Sequence, residues 1–144
     1  MDMKLIDRIR NRKILKEKLK NQGRGKFSDS VKHAVDGIDY TVGHERNFKI
    51  ELGFAILVFL LSIILRVSMV EWLVLLLTIS MVLVLEVVNT AIERCVDLVT
   101  KEYKDLAKVA KDTAAGAVLI MSVFSVAIGI CIFLPKILDL FLVR

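Results

Sequence analysis

The chain has little of what a disulfide-bonded or secreted protein needs. Its 144 residues include only two cysteines, Cys95 and Cys131, and both fall beside or within apolar runs, where a free thiol behaves as a small hydrophobe. Two such cysteines do not indicate a disulfide framework. The N-terminus is charged and no apolar run follows it closely, so no cleaved secretory signal is expected. The single proline, Pro135, is expected to end the last span.

The sequence also lacks the signatures of familiar nucleotide-binding and nucleophilic enzymes. No G-x-x-x-x-G-K-[ST] loop occurs, and GRGK at 23–26 is too short to replace one. The Gly-rich loop, H-R-D and D-F-G of protein kinases are absent as well. His33 and His44 are the only histidines, too few for a His-rich metal site. Acids and cations without a nucleophile are compatible with phosphoryl transfer, where positioning and Mg²⁺ electrostatics supply most of the catalysis.

Long apolar stretches dominate what remains. Hydrophobic residues make up 56% of the chain, and three stretches stand out, at 52–65, 72–85 and 113–134. The last has 22 uncharged residues, which at ~1.5 Å per residue spans about 33 Å, enough for one bilayer core. The first two are short for a span, but each continues past a single charge, Arg66 or Glu86.

These lengths predict an all-α integral membrane protein with three transmembrane helices, at about 50–68, 71–98 and 112–134. Residues 1–25 form a basic N-terminal extension, and residues 26–144 form the membrane domain. Before the first span, apolar residues recur at the spacing of one helical face, which predicts an amphipathic helix at about 27–42 lying on the membrane surface. The residues of this face are Phe27, Val31, Ala34, Val35, Ile38 and Val42.

The basic residues predict the orientation. Of the 21 lysines and arginines, 13 lie in residues 1–49, five lie in 94–111 and three lie elsewhere. Positive charge favours the cytoplasmic side of a membrane protein, so both segments, and with them the N-terminus, are expected there. Trp72 falls where an interfacial aromatic anchor is expected. The sequence thus predicts a multi-pass protein of the cell membrane, and no nucleic-acid partner is expected.

A polar stripe interrupts the second span. Five polar residues are separated by 3, 1, 3 and 4 positions, which places them on one helical face. They are Glu86, Asn89, Thr90, Glu93 and Asp97. A carboxylate within a span costs at least ~2.5 kcal/mol and is by default a functional candidate. The alternative is a helix that has already left the membrane at Leu85, so that these acids only touch water.

Two further segments carry candidate residues at the cytoplasmic side. Lys111 and Asp112 lie in AKDTAAGAV at 110–118, whose small residues favour close helix packing. Lys111 is either a snorkelling anchor or a phosphate-binding cation. Glu45 lies in HERNFKIE at 44–51, where it could approach the second span at the cytoplasmic surface.

Several motifs together resemble the prokaryotic diacylglycerol kinase family, most closely its undecaprenol kinase branch from Gram-positive bacteria. The similarity covers about residues 26–136, and the pairing of E-x-x-N-[ST]-A-I-E-x-x-x-D with A-K-D-x-A-A-G-A-V is highly specific. The matching segments are GI at 37–38, ERNFK at 45–49, EVVNTAIE at 86–93 with Asp97, LAKVAKDTAAGAV at 106–118, and IFLPK at 132–136.

The resemblance implies a fold and a set of roles. Members are homotrimers with three transmembrane helices and an N-terminal surface helix, and neighbouring subunits share active sites near the cytoplasmic surface. By resemblance, Glu86 would be the general base toward the lipid hydroxyl, and Asn89 would orient the base or the substrate. Glu45 and Glu93 would hold Mg²⁺ on the phosphates of ATP. Contacts to the nucleotide would come from Lys26, Glu102, Lys104, Lys111 and Asp112.

The chain departs from the family pattern at three positions. Lys26 stands where an arginine is usual in the enterobacterial enzymes, and His33 replaces an aromatic nucleotide contact, so that role is not carried over. Glu51 stands where undecaprenol-type members often have histidine, which keeps diacylglycerol open as the acceptor. The resemblance therefore implies ATP-dependent phosphorylation of undecaprenol, or of diacylglycerol to give phosphatidate. A non-enzymatic membrane scaffold or small transporter is the alternative of another class.

Overall fold

A computed structural model describes Lys13 and residues 27–142 of the chain. Lys26 and, apart from Lys13, the basic extension at 1–25 lie outside the described residues. Four helices follow one another in the described part: α1 (Phe27–His44), α2 (Arg46–Ile64), α3 (Met69–Val99) and α4 (Asp105–Leu142). These residues contain no strand, which confirms the all-α class. The chain divides into two compact units, 1–40 and 41–144, and α2 to α4 belong to the second.

Helices α2, α3 and α4 are each long and apolar enough to cross a membrane. They contain 19, 31 and 38 residues, and their apolar windows have mean hydropathies of 2.0, 2.3 and 2.8. Their outward faces carry large apolar side chains that are well exposed, such as Phe54, Leu77 and Phe124. The prediction of three helices that are long and apolar enough to span a membrane is thereby confirmed. Cys95 and Cys131 lie in α3 and α4, and both are free.

Helices α3 and α4 extend beyond the stretches that hydropathy marks, but the prediction that the first span continues to 68 is wrong. Helix α2 ends at Ile64, because Arg66 adopts a positive φ and residues 65–68 form the turn before α3. Helix α2 begins at Arg46 and helix α4 begins at Asp105, so both include charged residues before their apolar parts. Helix α4 also continues past Pro135 to Leu142, whereas we expected the proline to end the last span. A proline removes one backbone hydrogen bond, but helices in membranes tolerate it where neighbouring groups satisfy the freed backbone.

The turn between α2 and α3 is held by specific hydrogen bonds. Arg66 adopts a positive φ of 49°, and the amide of Val67 donates to the Ser62 carbonyl over 3.1 Å. Ser68 then caps α3: its hydroxyl accepts from the Glu71 amide at 3.4 Å, and its own amide donates to the Glu71 carboxylate at 2.6 Å. This reciprocal capping box satisfies two amides at the first turn of α3.

The end of the molecule near this turn also contains a small apolar core. Val67, Leu75 and Phe133 are buried together, so the turn, α3 and α4 meet there. Glu71 of α3 forms an ion pair with Lys136 of α4 at 3.0 Å. Trp72 packs edge-on against the ring of a phenylalanine on α2, with ring centroids 5.2 Å apart. These contacts fix the three spans relative to one another at the end away from the polar stripe.

We expect the Ser68→Ala variant to unfold more easily than the wild-type chain, by about 1 kcal/mol, because the capping hydroxyl is lost. The measurement is the unfolding midpoint in detergent micelles followed by circular dichroism. Ser80→Ala is the matched control, since the exposed Ser80 hydroxyl only donates to a carbonyl within its own helix. Equal midpoints for the two variants would show that the capping box contributes nothing.

Candidate functional site

The first three residues of the polar stripe of α3 are buried within the chain itself. Glu86 is 2% exposed, Asn89 is 7% exposed and Thr90 is 4% exposed. The opposite side of the same helix, at Val84 and Val88, is exposed. The stripe therefore faces the other helices. This excludes the alternative in which Glu86 merely touches water after the helix has left the membrane.

Hydrogen bonds along α3 fix the stripe's conformation. The Thr90 hydroxyl donates to the Glu86 carbonyl at 3.0 Å, so Thr90 is satisfied within its own helix. The Asn89 side-chain amide donates to the Glu93 carboxylate at 3.4 Å. The Asn89 Oδ1 atom is buried and accepts no hydrogen bond from any described residue. A buried oxygen of this kind needs a donor, and a bound substrate could supply one.

Two carboxylates near the start of α2 join the stripe. Glu45 precedes α2 as its N-cap, but its carboxylate does not cap the helix. Instead it accepts from Arg94 of α3, with Oε1 2.6 Å from Nη2. The charges of Glu45 and Glu93 act on Glu86, and the charge of Glu86 acts on Glu51. Four acidic side chains are thus linked by repulsion between their charges, and we call them the carboxylate cluster: Glu45, Glu51, Glu86 and Glu93.

The cluster has the donor chemistry for a magnesium ion completed by a substrate. Among the described residues, no group of three or more histidine, cysteine, aspartate or glutamate side chains is placed to hold a metal by itself. Mg²⁺, however, usually takes one or two protein carboxylates and fills its other positions with water and phosphate oxygens. Glu45 and Glu93 have carboxylates of this kind. Their repulsion with Glu86 would fall if a divalent cation lay between them. The residues present therefore fit the ion.

Cations line the end of the stripe at Asp97. Lys111 of α4 lies 2.6 Å from the Asp97 carboxylate, so this ion pair links α4 to the last polar residue of the stripe. Arg94 also approaches Asp97, at 4.0 Å. The neighbouring acid, Asp112, is paired with Lys108 one turn earlier in α4. Lys111 is thus a member of a defined ion-pair network, which the snorkelling alternative does not require.

The remaining predicted nucleotide contacts lie in the connection between α3 and α4. Glu102 and Lys104 are both exposed there. The Glu102 amide donates to the Thr100 hydroxyl at 3.2 Å, which orders the start of this connection. The structure thus places both residues at the same end of the chain as Lys111, in a segment that is open to a ligand.

Sequence reasoning missed two residues of this region. Glu51 was noted only as a departure from a family pattern, yet its Oε2 atom is buried and has no hydrogen-bond partner among the described residues. An acid inside the first span was the available signal. Arg94 was counted only among the basic residues that set the orientation, and its pairing with Glu45 depends on a contact between residues 49 positions apart.

A buried carboxylate, Glu86, within three packed helices that are each long and apolar enough to cross a membrane is typical of a functional site in an integral membrane protein. The chain belongs to the prokaryotic diacylglycerol kinase family, whose sequence profile it matches over residues 32–133. Family membership makes it a lipid kinase, a membrane transferase that takes a lipid and a nucleotide phosphoryl donor.

Individual relatives carry two different names. The undecaprenol kinase of Bacillus subtilis (strain 168) is 44% identical over 111 residues, which cover 77% of this chain and 90% of that protein. The diacylglycerol kinase of Synechocystis sp. is 40% identical over 112 residues, covering 77% of this chain and 64% of that protein. A diacylglycerol kinase of Helicobacter pylori (strain J99) is 30% identical over 105 residues, or 73% and 82% of the two chains.

Proposed function

We propose that the chain phosphorylates undecaprenol to undecaprenyl phosphate, with ATP as the donor and Mg²⁺ as the cofactor. The observation that carries this proposal is the burial of Glu86, at 2% exposure, inside a membrane-crossing helix next to Asn89 and Glu93. The likeness to an undecaprenol kinase over 90% of that protein supports the choice of acceptor.

Glu86 serves as the general base. Its carboxylate takes the proton of the lipid hydroxyl while the hydroxyl oxygen forms a bond to the γ-phosphorus of ATP. The bond from that phosphorus to the bridging oxygen breaks, and ADP leaves with the electron pair. A base inside the span suits this reaction because the hydroxyl belongs to a molecule held in the bilayer. Asn89, whose Oδ1 atom lacks a donor among the described residues, orients the base or the hydroxyl.

Glu45 and Glu93 would hold the magnesium ion. When bound, Mg²⁺ neutralises the charge of the phosphate oxygens and so stabilises the transferring group. Lys111 and Asp112 contact the nucleotide from the start of α4, and Glu102 and Lys104 contact it from the connection before α4. We also keep Lys26 as a nucleotide contact, on the strength of the family resemblance.

The distribution of basic residues supports a cytoplasmic location for the end of the helices that carries the proposed nucleotide contacts. Segments 1–49 and 94–111 carry 18 of the 21 lysines and arginines, so the N-terminus lies in the cytoplasm and the chain spans the cell membrane three times. The apolar residues of α1 recur at helical spacing, which suits a helix on a membrane surface. The family resemblance supports a homotrimer with active sites shared between subunits.

Diacylglycerol is the second candidate acceptor, with phosphatidate as the product. The observation that favours it is Glu51, which is repelled by the charge of Glu86 and occupies a position where undecaprenol-type members often have histidine. The likeness to the diacylglycerol kinase of Synechocystis supports the same reading, although the chain spans 64% of that protein.

Purified protein in lipid bilayers tests both acceptors. With ATP and Mg²⁺, we expect phosphate transfer to undecaprenol to exceed transfer to diacylglycerol about tenfold, a difference of ~1.4 kcal/mol in activation free energy. Chelation of Mg²⁺ by EDTA should abolish transfer, and added Mg²⁺ should restore it. The measurement is radiolabelled phosphate in the extracted lipid.

The outcomes separate the hypotheses. Faster transfer to diacylglycerol would replace undecaprenol as the acceptor and leave the chemistry unchanged. Transfer that persists in EDTA would exclude the metal role. No transfer to either alcohol would contradict the kinase function and favour the scaffold or transporter.

A further inference from the structure

Arg94 forms an ion pair with Glu45, one of the two carboxylates that the proposed function assigns to the metal. Its Nη2 atom lies 2.6 Å from Oε1 of Glu45. The same guanidinium lies 4.0 Å from Asp97, which is bonded in turn to Lys111. One chain of charges therefore runs from the start of α2, across α3, to the start of α4.

A competing ligand can separate the Glu45–Arg94 ion pair at low cost. The arginine side chain is 46% exposed and the glutamate side chain is 19% exposed. An ion pair this accessible to water is worth little, about 0–1 kcal/mol, so a competing ligand can displace it. The guanidinium occupies one lone pair of Glu45 Oε1, and its positive charge repels a cation that approaches the same carboxylate. Arginine and metal therefore compete for Glu45.

Once the Arg94 guanidinium leaves Glu45, phosphate oxygens can accept its hydrogen bonds. Its planar array of donors matches phosphate oxygens as well as it matches carboxylates. Arg94 lies between Glu45 and Asp97, the partner of Lys111, so it sits between the proposed metal ligands and the proposed nucleotide contact. Because the Arg94 side chain is half-exposed, it can rotate away from Glu45 toward an anion that binds beside it.

We propose that Arg94 is the exchange partner of Glu45 during nucleotide binding. Without nucleotide, the guanidinium holds the Glu45 carboxylate in place. When the metal–nucleotide binds, Glu45 turns to the metal and Arg94 turns to the phosphate oxygens. This inference rests on the proposed function, because it takes Glu45 as a metal ligand and a nucleoside triphosphate as the donor.

The Arg94→Gln variant tests the exchange through two affinities that change in opposite directions. Without nucleotide, Mn²⁺ titrated into the protein in micelles and followed by electron paramagnetic resonance should bind about two- to fivefold more tightly, since its competitor is gone. Affinity for Mg²⁺–ATP, measured by equilibrium binding, should fall about tenfold, since a charged hydrogen bond to phosphate is lost. A merely structural arginine would not give this pair of opposite shifts.

Two controls isolate the ion pair. Lys101→Gln removes the same charge from an exposed position at the same end of the chain, and it should leave Mn²⁺ affinity near the wild-type value. In a Glu45→Gln background, Arg94→Gln should no longer change Mn²⁺ affinity, because the contested carboxylate is absent.

Three results would overturn the inference: Mn²⁺ affinity that is unchanged or weaker in Arg94→Gln, an equal tightening in Lys101→Gln, or unchanged Mg²⁺–ATP affinity in Arg94→Gln. The wild-type transfer assay stands apart from these titrations. If the wild-type chain transfers phosphate but Arg94→Gln gives one of these results, only the exchange fails. If the wild-type chain transfers none, the proposed function itself fails.

Discussion

Replacing Glu86 with glutamine should lower phosphate transfer to the lipid by about 10²–10⁴-fold, the range attributed to a general base. Glutamine has nearly the same shape but accepts no proton. The hydrogen bond from Thr90 goes to the backbone carbonyl of residue 86, so the substitution leaves it intact. Nucleotide binding should be largely retained because the cations near Lys111 are unchanged. The measurements are turnover in bilayers and equilibrium binding of ATP with Mg²⁺.

Glu71→Gln is the matched control for Glu86→Gln. It makes the same substitution in the same helix, but at the far end, where the carboxylate caps α3 and pairs with Lys136. Its turnover should stay within the wild-type range at temperatures where the protein is folded. Unchanged turnover in Glu86→Gln would remove Glu86 as the base. Loss of nucleotide binding in that variant would point to a structural or metal-binding role instead.

Glu93→Ala should weaken binding of ATP with Mg²⁺ by about 10- to 100-fold, since a charged ligand lost from a partly shielded site costs ~1.5–3 kcal/mol. The variant also removes the acceptor of the Asn89 side-chain amide, so the orientation of Asn89 loosens. Turnover should fall at ordinary Mg²⁺ concentrations and recover in part when Mg²⁺ is raised. Isothermal titration with ATP at two Mg²⁺ concentrations measures both effects.

The control for Glu93→Ala is Asp105→Ala, which removes an exposed carboxylate from the first turn of α4 at the same end of the chain. That change should leave nucleotide affinity near the wild-type value. If Glu93→Ala also binds nucleotide normally, Glu93 is not a metal ligand. If Asp105→Ala weakens binding equally, the effect comes from the overall charge of that end and not from coordination.

The sequence predicted the fold through hydropathy and charge. Three apolar stretches gave three helices, because no other spanning element satisfies its own backbone within a single segment. The helix ends were less predictable: α2 begins at Arg46 and α4 at Asp105, since hydropathy marks the apolar part of a helix and not its hydrogen-bonded length. Pro135 shows the same limit, because its tolerance inside α4 depends on neighbours that the local sequence does not reveal.

The site was predictable only where its residues lie on one helix. The spacing from Glu86 to Glu93 defines a face by itself, and the structure buries the start of that face as expected for a functional stripe. The contacts between helices could not be read in this way. Glu45 meets Arg94 across 49 positions, and Lys111 meets Asp97 across 14. Such pairs depend on helix packing, which the local periodicity of one segment does not specify.

The spacing of the α3 stripe has a consequence for the form of the rate law. Glu86 and Glu93 are seven residues apart, so the proposed base lies ~10 Å deeper along the helix than the proposed metal ligand Glu93. One reactant arrives by three-dimensional diffusion from water, and the other by lateral diffusion within a two-dimensional film. The rate of phosphate transfer should therefore depend on the mole fraction of the acceptor in the surrounding lipid. Adding inert lipid, with the total amount of acceptor held constant, should lower that rate.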